Sequence, residues 1–180
     1  MLPPLVERAL ALAQELAFER SCSPETGRLL QVLAAQRGRG RVAEIGAGCG
    51  VGSAWILSTL PPEATFVTVE PDSRRAAAVA KLLAGDKHAR VIPAGWQEAL
   101  PGEAPFDLLF ADGGGQAMKT DEALLGLLAP GGTLVFDDLT PGRPGPDPVR
   151  DLWLGHPRLL AVELQVSARE AIIVGTLQPR

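Results

Sequence analysis

No stretch of this 180-residue chain is apolar without interruption for the length that a membrane-crossing helix needs. Glu7 and Arg8 stand where a secretory leader would have its apolar run, so a cytoplasmic protein with no membrane partner is expected. Cysteine is scarce: Cys22 and Cys49 are too few for a disulfide framework. Cys49 lies among glycines, where a small side chain fits, and reads as packing rather than as a nucleophile. Positive charge is not in excess either. The formal net charge is −4, which leaves no global basic field for nucleic acid or an anionic membrane. Arg37, Arg39 and Arg41 come nearest to a basic patch, but they alternate with glycine in a linker and read as a solvated loop. Repeats and a second domain are absent too. What remains is one α/β-sized domain, residues 1–180, with 46% hydrophobic residues, enough to bury both faces of a sheet.

The most informative stretch runs from Arg41 to Gly52, Arg-Val-Ala-Glu-Ile-Gly-Ala-Gly-Cys-Gly-Val-Gly. It reads as a short apolar strand, Val42 to Ile45, running into alternating glycines at 46, 48, 50 and 52. A helix then opens at Ser53-Ala-Trp-Ile-Leu. Strand, glycine loop and helix make the nucleotide-type cradle of an open α/β sheet. A dinucleotide fingerprint needs G-x-G-x-x-G, and its third position falls here on Val51 or Ser53. A P-loop needs a lysine after the glycines, and there is none. Glu44 within the strand suits a ligand with an ammonium group and no phosphate, a description that S-adenosylmethionine meets. A carboxylate in an apolar strand needs a partner, either that ammonium or nearby backbone N–H groups.

Strands and helices alternate along the chain. Leu5, Ala9, Leu12 and Leu16 give an amphipathic helix over 5–20, and Ser23-Pro24-Glu25 starts a second that ends near Gly38. Further strands are predicted at 65–70, 90–93, 107–111 and 133–136. Helices are predicted to about 60, from Asp72 or Ser73 to 84, near 97–100, over 117–128 and over 149–154. Pro130-Gly-Gly132 closes the helix at 128. The last two runs, 159–166 and 171–177, are separated by four residues, too few for a helical crossover, so they pair antiparallel. The expected fold is α/β: a doubly wound, mostly parallel seven-stranded sheet with an antiparallel last strand and helices on both faces. Residues 1–38 would be helices packed on a Rossmann-like core, 39–180.

Glu44-Ile-Gly-Ala-Gly-Cys-Gly50 resembles the first motif of class I S-adenosylmethionine-dependent methyltransferases. Phe66-Val-Thr-Val-Glu70, Val91-Ile-Pro-Ala-Gly-Trp-Gln97, Phe106-Asp-Leu-Leu-Phe-Ala-Asp112 and Leu128 to Asp138 follow in the family's order. The pattern is most similar to the catechol O-methyltransferase-like group of bacterial O-methyltransferases. The resemblance implies that Gly46, Gly48 and Gly50 wrap the methionine part of S-adenosylmethionine, with Glu44 beneath. It places Glu70, about 20 residues beyond the loop, on the ribose hydroxyls. Gly95, Trp96 and Gln97 fall at the adenine-contacting turn, where Trp96 either stacks on the base or closes the core. Asp112 lies near the transferred methyl, as the candidate catalytic residue and a cofactor contact.

Asp112, Asp137 and Asp138 are expected to converge at neighbouring strand ends. Three carboxylates so placed repel one another unless a cation joins them, and all-oxygen ligands point to Mg²⁺ or another hard divalent cation. In the related enzymes such an ion holds a catechol-like acceptor. Two departures stand out: Asp138 occupies the group's Asn position, and Gly115, in the run Gly113-Gly114-Gly115, occupies its catalytic Lys position. Lys119 is one helical turn further on. The expected activity is methyl transfer from S-adenosylmethionine to oxygen of a small molecule. The alternatives are an N- or protein-directed methyltransferase, or a non-catalytic nucleotide-binding module of the same fold. The N-terminal elements that would cover an acceptor are short, and a homodimer is one way for a second copy to complete the pocket.

Overall fold

The computed structural model describes residues 2–113 and 115–179; Gly114 of the triple-glycine run lies outside them. Seven strands form one sheet: β1 (Arg41–Ile45), β2 (Thr65–Val69), β3 (Ala89–Ile92), β4 (Phe106–Ala111), β5 (Leu128–Leu139), β6 (Leu159–Gln165) and β7 (Ala171–Leu177). Their order is β3-β2-β1-β4-β5-β7-β6. Strands β1 to β5 run parallel, and β7 pairs antiparallel with both β5 and β6. The helices are α1 (Pro4–Glu15), α2 (Pro24–Ala34), α3 (Val51–Leu57), α4 (Ser73–Leu83), α5 (Trp96–Ala99), α6 (Gly115–Lys119) and α7 (Pro148–Leu154). No helix among the described residues is long and apolar enough to cross a membrane.

The period-two alternation of the strands divides the core between the two faces. Val42, Phe66, Leu108, Phe110 and Val135 face α1 to α4, packing on Leu30, Trp55 and Val79. Ala43, Val69, Leu109, Leu134 and Phe136 face the other way, against Leu100, Leu124 and Trp153. Trp153 is fully buried and its ring lies 5.1 Å from that of Phe136. Cutting it back to alanine would cost about 3–5 kcal/mol. Helix starts are set by side chains: Ser23 Oγ accepts from the Thr26 N–H at 3.2 Å, and Asp72 Oδ1 from that of Arg75 at 2.8 Å.

Three elements differ from the expectation. Helix α1 stops at Glu15 because Ala17 turns left-handed (φ 51°), which frees residues 16–23 to run across the carboxyl edge of the sheet. The helix expected over 117–128 is a single turn, α6, followed by a 3₁₀ segment, Glu122–Leu127, capped by Asp121. Strand β5 begins at Leu128, before Pro130-Gly-Gly132, and its pairing with β4 shifts register between Phe106 and Leu108, as at a bulge.

Candidate functional site

The carboxyl ends of β1, β2 and β4 open into a cleft of about 260 Å³. Ligands bind at this edge in open α/β sheets. Its floor is the glycine loop. Gly46, Gly48 and Gly50 all have positive φ, 90°, 53° and 82°. A Cβ on Gly46 would lie 1.8 Å from the Asp112 carbonyl oxygen, and one on Gly48 would lie 2.9 Å from the Phe18 ring. The alternation therefore satisfies both backbone conformation and close approach. Gly52 serves differently: a Cβ there would meet Glu44 Oε1 at 2.3 Å.

Glu44 shares its face of β1 with Val42, points toward Gly52 of α3, and is not itself among the residues that line the cleft. It is 1% exposed, and its Oε2 accepts from Ser53 Oγ and from Thr68 Oγ1, the latter at 2.7 Å. Two hydroxyls thus fill the partner role for which an ammonium or backbone N–H groups were expected. Burial pushes its carboxyl up to about 7, against the pull of those two hydrogen bonds.

Glu70 does line the cleft. Its Oε2 accepts from the Gly48 N–H at 2.9 Å, and its Oε1 from the Asp72 N–H at 2.9 Å and Arg75 Nη2 at 2.8 Å. Arg75 lies over the Phe18 ring, 5.4 Å from its centroid. Phe18, Ser21 and Cys22, from the segment between α1 and α2, form the opposite wall. Ser21 Oγ and Arg75 Nε are buried without a hydrogen-bond partner among the described residues. Gly95, Trp96 and Gln97 are not among the lining residues. Gly95 caps α5, Trp96 packs in the core on the Trp153 face, and Gln97 is exposed.

At the other end of the cleft the structure brings Asp112, Asp137 and Asp138 together, each with a ligand oxygen within 4.8 Å of the others. Asp138 is left-handed (φ 60°), a conformation that Asp tolerates better than most residues and that turns its carboxylate into the cleft. Burial and the charges of Asp137 and Asp138 push the Asp112 carboxyl up to about 8. Asp137 is raised by its own burial and by its contact with Glu170; Thr26 Oγ1 donates to both, at 3.5 and 3.3 Å. Asp137 Oδ2 is buried without a partner among the described residues. Burial, reinforced by the same acids, keeps Cys22 a thiol. Lys119 reaches the cluster: it is 6% exposed, its Nζ donates to the Asp137 carbonyl oxygen, and it lies 4.0 Å from Asp138 Oδ2.

Sequence reasoning missed Phe18, Ser21, Arg75 and the Thr26–Glu170 pair. An arginine in the first turn after a strand-end acid was a readable signal for Arg75. Thr26 and Glu170 lie 144 residues apart and share no local pattern.

Comparison with known proteins agrees with this geometry. A family described as "Methyltransferase domain" matches residues 43–139, more than half of the chain and the whole glycine-loop-to-Asp138 unit. The chain belongs to this methyltransferase domain family. A Mycobacteroides abscessus protein named as an O-methyltransferase is 33% identical over 150 residues, 77% of this chain and 69% of its own length. One from Mycobacterium sp. (strain JLS) is 34% identical over 137 residues, 70% and 62% of the two chains. The methyltransferase chain described here thus spans roughly two thirds of such relatives. Among solved structures, the Bacillus cereus O-methyltransferase in complex with SAH has a TM-score of 0.85 at 21% identity. TomG of Streptomyces achromogenes, an O-methyltransferase of tomaymycin synthesis in complex with SAM, has 0.82 at 23%. Each alignment covers 99% of this chain and 92% of the other. At such identities the likeness is one of fold, and it extends to the seven-stranded sheet with its antiparallel β7.

Proposed function

We propose that this methyltransferase domain methylates a hydroxyl oxygen of a small molecule in the cytoplasm, with S-adenosylmethionine as the methyl donor. The observation that carries the reading is one cleft with Glu70, an acid suited to ribose hydroxyls, at one end and Asp112, Asp138 and Lys119 at the other, with buried Asp137 within reach of both acids. The residues fit the donor: the glycine loop leaves no side chain in its path, and Ser21 Oγ and Arg75 Nε are buried donors without partners. Bound S-adenosylmethionine would supply an electrophilic methyl group on a sulfonium. The chain's own contribution is alignment. Glu70 holds the ribose hydroxyls, and the Gly46–Gly50 backbone carries the methionine part. Asp112 in its ionised form takes the proton of the acceptor hydroxyl, and the surroundings that raise its carboxyl make that form the stronger base. The apolar row Leu160, Val162 and Leu164 on the outer strand β6 supports a homodimer, because an antiparallel pairing about Val162 would set the row against itself.

A second reading adds a hard divalent cation on Asp112, Asp137 and Asp138. It is favoured by the mutual reach of their oxygens and by the unpartnered Asp137 Oδ2. Such an ion would lower the pKa of an acceptor hydroxyl.

The test is thermal denaturation with S-adenosylhomocysteine, NAD or ATP. S-adenosylhomocysteine at 100 times its Kd should stabilise the fold by about 2.7 kcal/mol, with little effect from the other two. Equal stabilisation by NAD would overturn the reading.

A further inference from the structure

Lys119 is a lysine in a place that lysines seldom occupy. It is 6% exposed, and Lys is almost never fully buried unless paired. Its main chain and side chain are both held. Its carbonyl accepts from Trp153 Nε1, and its ammonium donates to the Asp137 carbonyl oxygen, 4.0 Å from Asp138 Oδ2. Trp153 is itself fully buried, so the tie to α7 is fixed by core packing. The ammonium therefore adjoins the cluster of three carboxylates through Asp138, and its charge also acts on Asp112.

Resting on the O-methyltransferase reading above, we propose that Lys119 is the resident cation of this cluster and takes the place of a divalent ion. A divalent ion between the same carboxylates would lie close to the ammonium that already stands 4.0 Å from Asp138 Oδ2, and like charges at such separation in a buried site repel strongly. The exchange also bears on the acceptor. A metal ion offers two adjacent coordination positions and so selects neighbouring oxygens on one ring. One ammonium has three N–H groups; with one given to the Asp137 carbonyl and a second available to the Asp138 carboxylate 4.0 Å away, one is left for an acceptor oxygen. The acceptor class that fits is a compound with one reactive hydroxyl, such as a simple phenol, with no requirement for a catechol.

The experiment measures Mn²⁺ binding by electron paramagnetic resonance on wild type, Lys119→Met and Lys119→Arg, each checked by calorimetry with S-adenosylhomocysteine. Wild type and Lys119→Arg should leave Mn²⁺ free at sub-millimolar concentrations, and Lys119→Met should bind it at least tenfold more tightly. Wild-type transfer to a monohydric phenol should persist in EDTA. Failure of S-adenosylhomocysteine to bind any of the three would remove the methyltransferase reading itself. If it binds while wild type takes up Mn²⁺ as tightly as Lys119→Met, the inference is overturned. Loss of wild-type transfer in EDTA has the same consequence. Should Lys119→Met not fold, Mn²⁺ binding by wild type alone decides the matter.

Discussion

The two edges of the sheet are built from the same strands and are chemical opposites. At the amino edge, Arg39 donates to the carbonyls of Leu33 and Asp107 and to the side chains of Gln36 and Thr133. Asp107 Oδ2 accepts the N–H groups of Gly40 and Arg41, each at 2.8 Å. Arg41 and Arg90 both end on Glu103. At the carboxyl edge Arg75 and Lys119 stand among a larger group of acids, and three of those acids are pushed up by burial. The buried side-chain atoms without partners among the described residues are Ser21 Oγ, Arg75 Nε, Asp137 Oδ2 and Arg158 Nε, and the first three belong to this edge. Buried polar groups are normally satisfied. An edge whose groups answer one another is finished structure; one with groups left over awaits a ligand.

The sharpest way to break this contrast is to put the same methyl group at each edge. Gly46→Ala forces a Cβ onto the Asp112 carbonyl at φ 90° and should cost roughly 3–5 kcal/mol. Gly38→Ala, near the amino edge at φ 83° with nothing within 4 Å, should cost only about 1 kcal/mol. Urea midpoints measure both, and equal losses would mean that close approach at Gly46 is unimportant. Next comes Arg39→Ala, which removes a charged staple. A loss of about 2–3 kcal/mol of stability is expected, with unchanged affinity for S-adenosylhomocysteine. A weakened affinity would show that the amino edge takes part in binding.

Glu70→Ala should do the reverse, weakening S-adenosylhomocysteine by roughly 1.5–3 kcal/mol in calorimetry. Unchanged affinity in a folded variant would reduce Glu70 to a cap for α4. The smallest effect is the pH response of Glu44. Its carboxyl is raised to about 7 from the usual 4.5, so the folded state favours the protonated form. The resulting stability is complete below about 4.5 and is lost as pH rises through about 7. Glu44→Gln should flatten the fall in stability between pH 5 and 7.5 by about 1–2 kcal/mol. An unaltered slope would assign that fall to the other acids.

The carboxyl edge was legible in outline and the amino edge hardly at all. Glycines at 46, 48 and 50 and an acid ending β2 are local signals, and strand alternation with the short 167–170 link carried the topology. The arginines at 37, 39 and 41 read as a solvated loop, yet Arg39 is half buried, because its partners Asp107 and Thr133 come from distant strands. Glu44 was placed in the right strand, but its partners depend on which face of β1 meets α3. The helix expected over 117–128 failed because Asp121 caps a new segment and Leu124, Leu125 and Leu127 bury themselves from a 3₁₀ turn. Lys119 was visible only as a residue one turn too far along, and its arrival at the acids depends on that broken helix.

Lys119 is held at its carbonyl by α7 and at its ammonium by β5, both outside α6, the helix that it ends. The other side chains of α6 make neither of these two contacts. The exposed ones among them can change over generations while the charge stays in register with the cleft. Inherited variation is thus steered toward the rim, where it alters what enters, and away from the group on which the reaction depends.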